Sequence, residues 1–238
     1  MLNKLLITNT TSLEEIRQAI GVLREQKGKE KETLKLIEEA LVFGHGFVAN
    51  LFFEEALTYQ HLYMSDSSNK KALFDMEKSI LKASFYVNKY KIVNLNSRLF
   101  RFMGKVADYK KQYKKAINYY RKAGKNLEIE GFISYSTIMS GQTTIGYKLA
   151  KSVYKKFLDS KEGKELQKND YNAWAIWMSG IAIRTVNALI DIKVNFNKQE
   201  IESWIKDTEK YLMKNDSFSY RKMEIKELWT KLQNYKNT

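Results

Sequence analysis

Along most of the chain, apolar residues recur three and four positions apart, interrupted by short polar or glycine-bearing stretches. That period belongs to amphipathic helices and not to the alternation of strands. The box Ser12-Leu13-Glu14-Glu15 predicts a helix start, followed by Leu13, Ile16, Ile20 and Leu23 on one face and an end near Gly28. A second helix runs to Phe43 with Leu34, Ile37, Ala40 and Leu41 inward, and Gly44-His45-Gly46 breaks the chain. The third, Phe47 to Met64, is apolar nearly all round; Ser65 to Asn69 turns it into a fourth that ends near Asn88. The fifth and sixth fill Ser97–Glu130 and hinge at residues 109–112. A seventh covers Glu128–Ser140 and stops at Gly141, and an eighth covers Thr143–Leu158. Lys161-Glu162-Gly163-Lys164 reads as the longest polar loop. A long ninth helix runs from Asp170 to about Val194, Asn197 to Glu200 is a second capping box, and the last helix spans Ser217 to Tyr235. The expectation is an all-α chain of eleven helices, as five pairs and a closing helix.

Within Ser97–Glu130 the order is Phe100, Met103-Gly104, Ala107, Tyr113, Ala116, Tyr120, Ala123, with a small residue wherever two helices must approach. This segment resembles a tetratricopeptide repeat, a helix–turn–helix unit of about 34 residues. The family's first-helix tyrosine is Ala107 here, and its proline is missing. Residues 127–160 match more weakly, with Gly146 and Ala150 in place of the alanine and aromatic of the second helix. The second-helix alanines Ala40, Ala83 and Ala123, followed by Val153, are spaced 43, 40 and 30 residues apart, so the array is diverged. The resemblance implies one domain over residues 1–238, a right-handed α–α superhelix of about five pairs in which helices 170–236 close the array. It also implies a concave groove, lined by the first helix of each pair, that holds a peptide segment.

The site residues follow from which stripes face that groove. On the fifth helix Leu99, Phe100, Met103, Val106 and Ala107 form the expected buried side. Arg98, Arg101, Lys105 and Asp108 share another face, with Phe102 and Tyr109 at its edge. Two arginines a turn apart beside a lysine suit a carboxylate or phosphate; a solvated stripe is the plainer alternative. The third helix carries Asn50, Glu54, Thr58 and His61 as a polar line, either lining the groove or bonding the neighbouring pair. On the ninth, Trp177, Arg184, Asn187 and Asp191 share a side; Arg184 pairs with Asp191 or faces a ligand. Phe132, Tyr135 and Met139 offer an apolar floor, or simply core.

Composition narrows the functional classes. Proline is absent, where usage near 5% would be ordinary, which fits a helical chain. Cysteine is also absent, which removes disulfides, thiolate metal sites and thiol catalysis. The two histidines, His45 and His61, lack a helical carboxylate partner, and Gly141 to Gly146 is no phosphate loop, so no cofactor, metal or enzymatic activity is expected. The formal charge is +14, carried by 34 lysines and only seven arginines, and residues 1–55 are slightly acidic, so the excess falls on the remainder. A solvated basic surface is the plainer reading of the lysine excess; its uneven distribution is of the kind that reports on a partner's charge. A non-catalytic adaptor for an acidic peptide is the leading expectation. The alternative is RNA or single-stranded nucleic acid, with Tyr109, Tyr113, Tyr119 and Tyr120 available for stacking. Met1 to Ile7 is too short for a signal peptide, and no stretch reads as the ~20 apolar residues of a membrane span, so a cytoplasmic protein without membrane contact is expected.

Overall fold

Helix follows helix along the whole described chain. The computed structural model describes residues 13–43, 48–215 and 217–235, and among them are twelve α-helices and one short 3-10 turn at Val93–Leu95. In order they are α1 (Leu13–Arg24), α2 (Glu30–Phe43), α3 (Val48–Ser65), α4 (Lys70–Lys89), α5 (Asn96–Tyr109) and α6 (Tyr113–Ala123). Then come α7 (Leu127–Met139), α8 (Thr143–Asp159), α9 (Lys161–Asn169), α10 (Tyr171–Asp191), α11 (Lys198–Leu212) and α12 (Ser219–Asn234). The box at Ser12 and the break at Gly44-His45-Gly46 lie outside the described residues.

The backbone divides into two compact units, one through Tyr109 and one from Lys110 onward. In the first, α3 and α4 form the most extensive hairpin, α2 packs on α3, α1 on both α2 and α3, and α5 on α4. Phe53, Ala56, Met76, Ile80, Ala83 and Phe102 make one part of its core; Ile16, Ile20, Ile37, Ala40 and Leu51 make the other. Asn69 starts α4 by accepting the Ala72 N–H at 3.0 Å, which satisfies an otherwise orphaned donor.

In the second unit α7 and α8 form the tightest hairpin, α6 packs on α7, and α10 touches α7, α8, α9, α11 and α12. Neighbours in sequence are mostly neighbours in space, and helices further apart also meet, α1 with α3, α7 with α10, α10 with α12, as in a helical array. Gly146 explains the closeness of α7 and α8. A Cβ there would stand 2.6 Å from the Ile138 backbone nitrogen and 2.8 Å from the Ser134 carbonyl oxygen.

Three expectations need correcting. The polar run at residues 161–164 is not a loop but the first turn of α9, which makes twelve helices where the pattern predicts eleven. Ser160 caps it by accepting the Gly163 N–H at 3.1 Å, and Gly163 lies so near the Lys156 and Phe157 carbonyls that no side chain fits. Phe102, placed at the edge of a polar stripe, is fully buried, its ring stacked on Phe53 at 5.2 Å. Finally, α10 is long and apolar enough to cross a membrane by length and composition, with 67% of that window buried among the unit's other helices.

Candidate functional site

The charged residues singled out on α3 and α5 meet each other. Glu54 is 1% exposed and pairs with two guanidiniums, Arg24 from the end of α1 and Arg98 from α5, the latter at 2.6 Å. Arg98 also donates to Asn50 Oδ1 at 3.2 Å and lies beside the stacked rings of Phe53 and Phe102, 5.1 and 5.9 Å from their centres. His61 Nδ1 is 2.6 Å from the Arg24 carbonyl oxygen, to which it donates. Thr58 is buried and returns its hydroxyl to the Glu54 carbonyl within α3, at 2.9 Å.

Lower on the same helices, Gln60 accepts from Lys105 Nζ at 3.3 Å and donates to the Tyr109 hydroxyl at 2.8 Å. Lys105 is 8% exposed, with its ammonium 5.2 Å from the Phe102 ring. The Tyr109 ring meets Tyr63 edge-on at 5.1 Å. Arg101 is half-buried, its guanidinium 5.7 Å from the Phe102 ring, and Asp108 is half-buried near the helix end. The polar line of α3 and the basic stripe of α5 are therefore two halves of one polar layer that ties α1, α3 and α5 together. Gln60 is absent from the polar line read in the sequence because, six residues from Glu54, it falls about 120° round the helix from that line.

Electrostatics agrees with that geometry. Burial would push the Glu54 carboxyl up, but Arg24 and Arg98, with Arg17 behind them, hold it below the ordinary glutamate value. Arg24 is penalised by burial too, yet it faces both Glu54 and Glu25 and is raised. Arg98 has one carboxylate and two neighbouring guanidiniums, Arg101 and Arg24, so burial wins and it is lowered.

The second unit repeats the theme. The Arg184 guanidinium lies 4.2 Å from the Phe132 ring centre, with Trp177 edge-on to the same ring at 6.2 Å. Gly180 gives it room, since a Cβ there would meet Arg184 Nη1 at 2.9 Å. Asn187 accepts from Lys231 of α12 at 2.8 Å, and Asp191 is exposed at the end of α10. Phe132 is core, stacked on Tyr120 at 5.0 Å.

A different surface has the features of a binding site. At the turn into α6 an open cleft of about 510 Å³ is lined by Lys111, Gln112, Tyr113, Lys114, Lys115, Met139 and Ser140. No carboxylate lines it. The first turn of α6 contains no acidic residue, and Gln112 at the cap position makes no side-chain capping bond. Three lysines thus crowd the positive end of a helix dipole, where cations are disfavoured and anions welcome. Helical period gives residues 109–112 the role of a hinge only; the signal for more is four lysines (110, 111, 114, 115) within six positions. Met139, expected in an apolar floor, lies here. Among the described residues no group of three His, Asp or Glu is placed to hold a metal ion.

No protein-family model, curated protein or solved structure matches this chain. The likeness to tetratricopeptide repeats rests on the pattern in residues 97–130, a segment divided between the two units at Tyr109, and sequential helix packing is seen within each unit.

Proposed function

We propose that the chain is a non-catalytic helical-repeat scaffold, of the right-handed tetratricopeptide kind, that captures an acidic segment of another protein. The observation that carries this reading is the lysine cleft at the α6 turn. Lys111, Lys114 and Lys115 line it, and no carboxylate does. A glutamate or aspartate side chain entering the cleft neutralises charge that is otherwise set against the helix dipole. Tyr113 and Met139 supply apolar contact for the residues between the acids.

The stripe Arg98/Lys105, first in line as a peptide clamp, is a poorer candidate, because its charges are already engaged with Glu54 and Gln60. Nucleic acid is the weaker partner class. Tyr120 is buried, Tyr109 is bonded to Gln60, the Tyr113 ring meets Tyr135 edge-on at 6.4 Å, and Lys115 lies over Tyr119. Bases would find few open rings to stack on.

The test is fluorescence anisotropy with a labelled Asp/Glu-rich peptide and a single-stranded oligonucleotide of equal length. Peptide binding is expected to weaken roughly tenfold or more in Lys111→Glu/Lys114→Glu, with unchanged helicity. A variant that binds like the parent rules out the cleft as the seat of binding. Tighter binding of the oligonucleotide, with steep salt dependence, replaces the peptide by nucleic acid.

A further inference from the structure

One face of α4 is apolar and left largely uncovered by its own unit. Phe74, Leu81 and Phe85 are 63%, 60% and 58% exposed. Their spacing of seven and four residues sets them in a single narrow stripe. Tyr90, 58% exposed at the helix end, shares the Lys89 ammonium with Phe85. The opposite face of α4 is fully committed to the core through Ala72, Met76, Ile80, Ala83 and Val87. Large apolar side chains gathered in one exposed row mark interaction surfaces, whereas scattered ones do not.

Charge says what covers the row. By helical spacing Lys78 stands within the row, between Phe74 and Leu81, and Lys70 at its start, its ammonium 5.7 Å from the Tyr63 ring; Lys89 holds its ammonium 5.4 Å from both the Phe85 and the Tyr90 rings. Asp75 is taken up by Lys71. We propose that this stripe docks an acidic amphipathic helix of a partner protein, its apolar side chains seated among Phe74, Leu81 and Phe85 and its carboxylates meeting the lysine rim. The row from Phe74 to Phe85 spans about 16 Å, the length of three turns of a partner helix. A second copy of this chain would bring the same lysines against themselves, on molecules of charge +14. A bilayer suits a broad apolar face, and this one is a single side chain wide with Glu77 beside it. The surface lies in the first unit and is independent of the lysine cleft in the second, so either can fail alone.

The probe is a labelled peptide of about four helical turns with leucines at i, i+4, i+7 and i+11 and glutamates on both flanks, beside a scrambled peptide of equal composition. The patterned peptide is expected to bind about tenfold tighter than the scrambled one. Leu81→Gln/Phe85→Gln, and separately Lys78→Glu/Lys89→Glu, should each weaken it by a similar factor, while Lys111→Glu/Lys114→Glu leaves it unchanged. Should the double glutamine variant lose its helical circular dichroism, Phe74→Ser alone carries the same expectation. Equal binding of both peptides, or indifference to the α4 substitutions, overturns the proposal. So does co-sedimentation with phosphatidylserine vesicles, or a dimer, that depends on Leu81 and Phe85.

Discussion

Glu54 holds two guanidiniums from two other helices, and its worth lies in what its loss would leave behind. Removing one member of a buried charge set costs about 3–5 kcal/mol, because the remaining charges stay buried and unmatched. Glu54→Gln is therefore expected to lose stability of that size, read as a shift of the urea midpoint by circular dichroism. Folding lowers the Glu54 pKa below its ordinary 4.5. Its contribution is complete above that value and lost as pH falls through the lower, folded one. The parent should thus lose stability on acidification below 4.5 more steeply than Glu54→Gln does. Identical acid limbs would show that the layer is electrostatically idle. The line Asn50, Glu54, Thr58, His61 was legible from helical period, but its partners were not. Arg98 lies 44 residues away, and no local pattern announces such a pairing.

For the helices themselves, two glycines make opposite predictions. Gly146 faces α7 at a distance that admits no Cβ. Overpacking there costs about 1–3 kcal/mol, more than the ~1 kcal/mol that alanine gains over glycine in a helix. Gly146→Ala should lower the melting temperature. Gly21, mid-helix in α1, has nothing within 4 Å of the place a Cβ would take, so Gly21→Ala should be neutral or stabilising. If both behave alike, packing at Gly146 is not what sets the α7–α8 distance. Most helix boundaries were readable because apolar spacing and caps coincide, as at Asn197, whose side chain accepts the Glu200 N–H at 3.2 Å. α9 was not, since a lysine-rich run with a glycine looks like loop by composition. Its helix depends on Ser160 and on the carbonyls packed against Gly163, which only the folded chain brings together.

Across the molecule, basic side chains divide by environment. Arginines such as Arg24, Arg98 and Arg184 sit among buried carboxylates or rings, as their flat, weakly hydrated heads allow. Lysines crowd the exposed turn at α6 and the rim of the α4 stripe. The net charge suggests an acidic partner, and helical spacing points to the arginine stripe as its seat. Arg98 and Lys105 of that stripe are spent on tying α5 to α3. The cleft escapes helical periodicity because its lining joins a turn (Lys111, Gln112), the first turn of α6 (Tyr113, Lys114, Lys115) and the distant end of α7 (Met139, Ser140), which only the folded chain brings together.

Hydrogen–deuterium exchange with and without a saturating Asp/Glu-rich peptide tests the cleft most directly. Slowed exchange confined to the α6 turn and the end of α7, residues 111–115 and 139–140, is the predicted result, lost in Lys111→Glu/Lys114→Glu. Protection centred on α3 and α5 instead, with the α6 turn unchanged, would contradict it and return the binding role to Arg98 and Lys105.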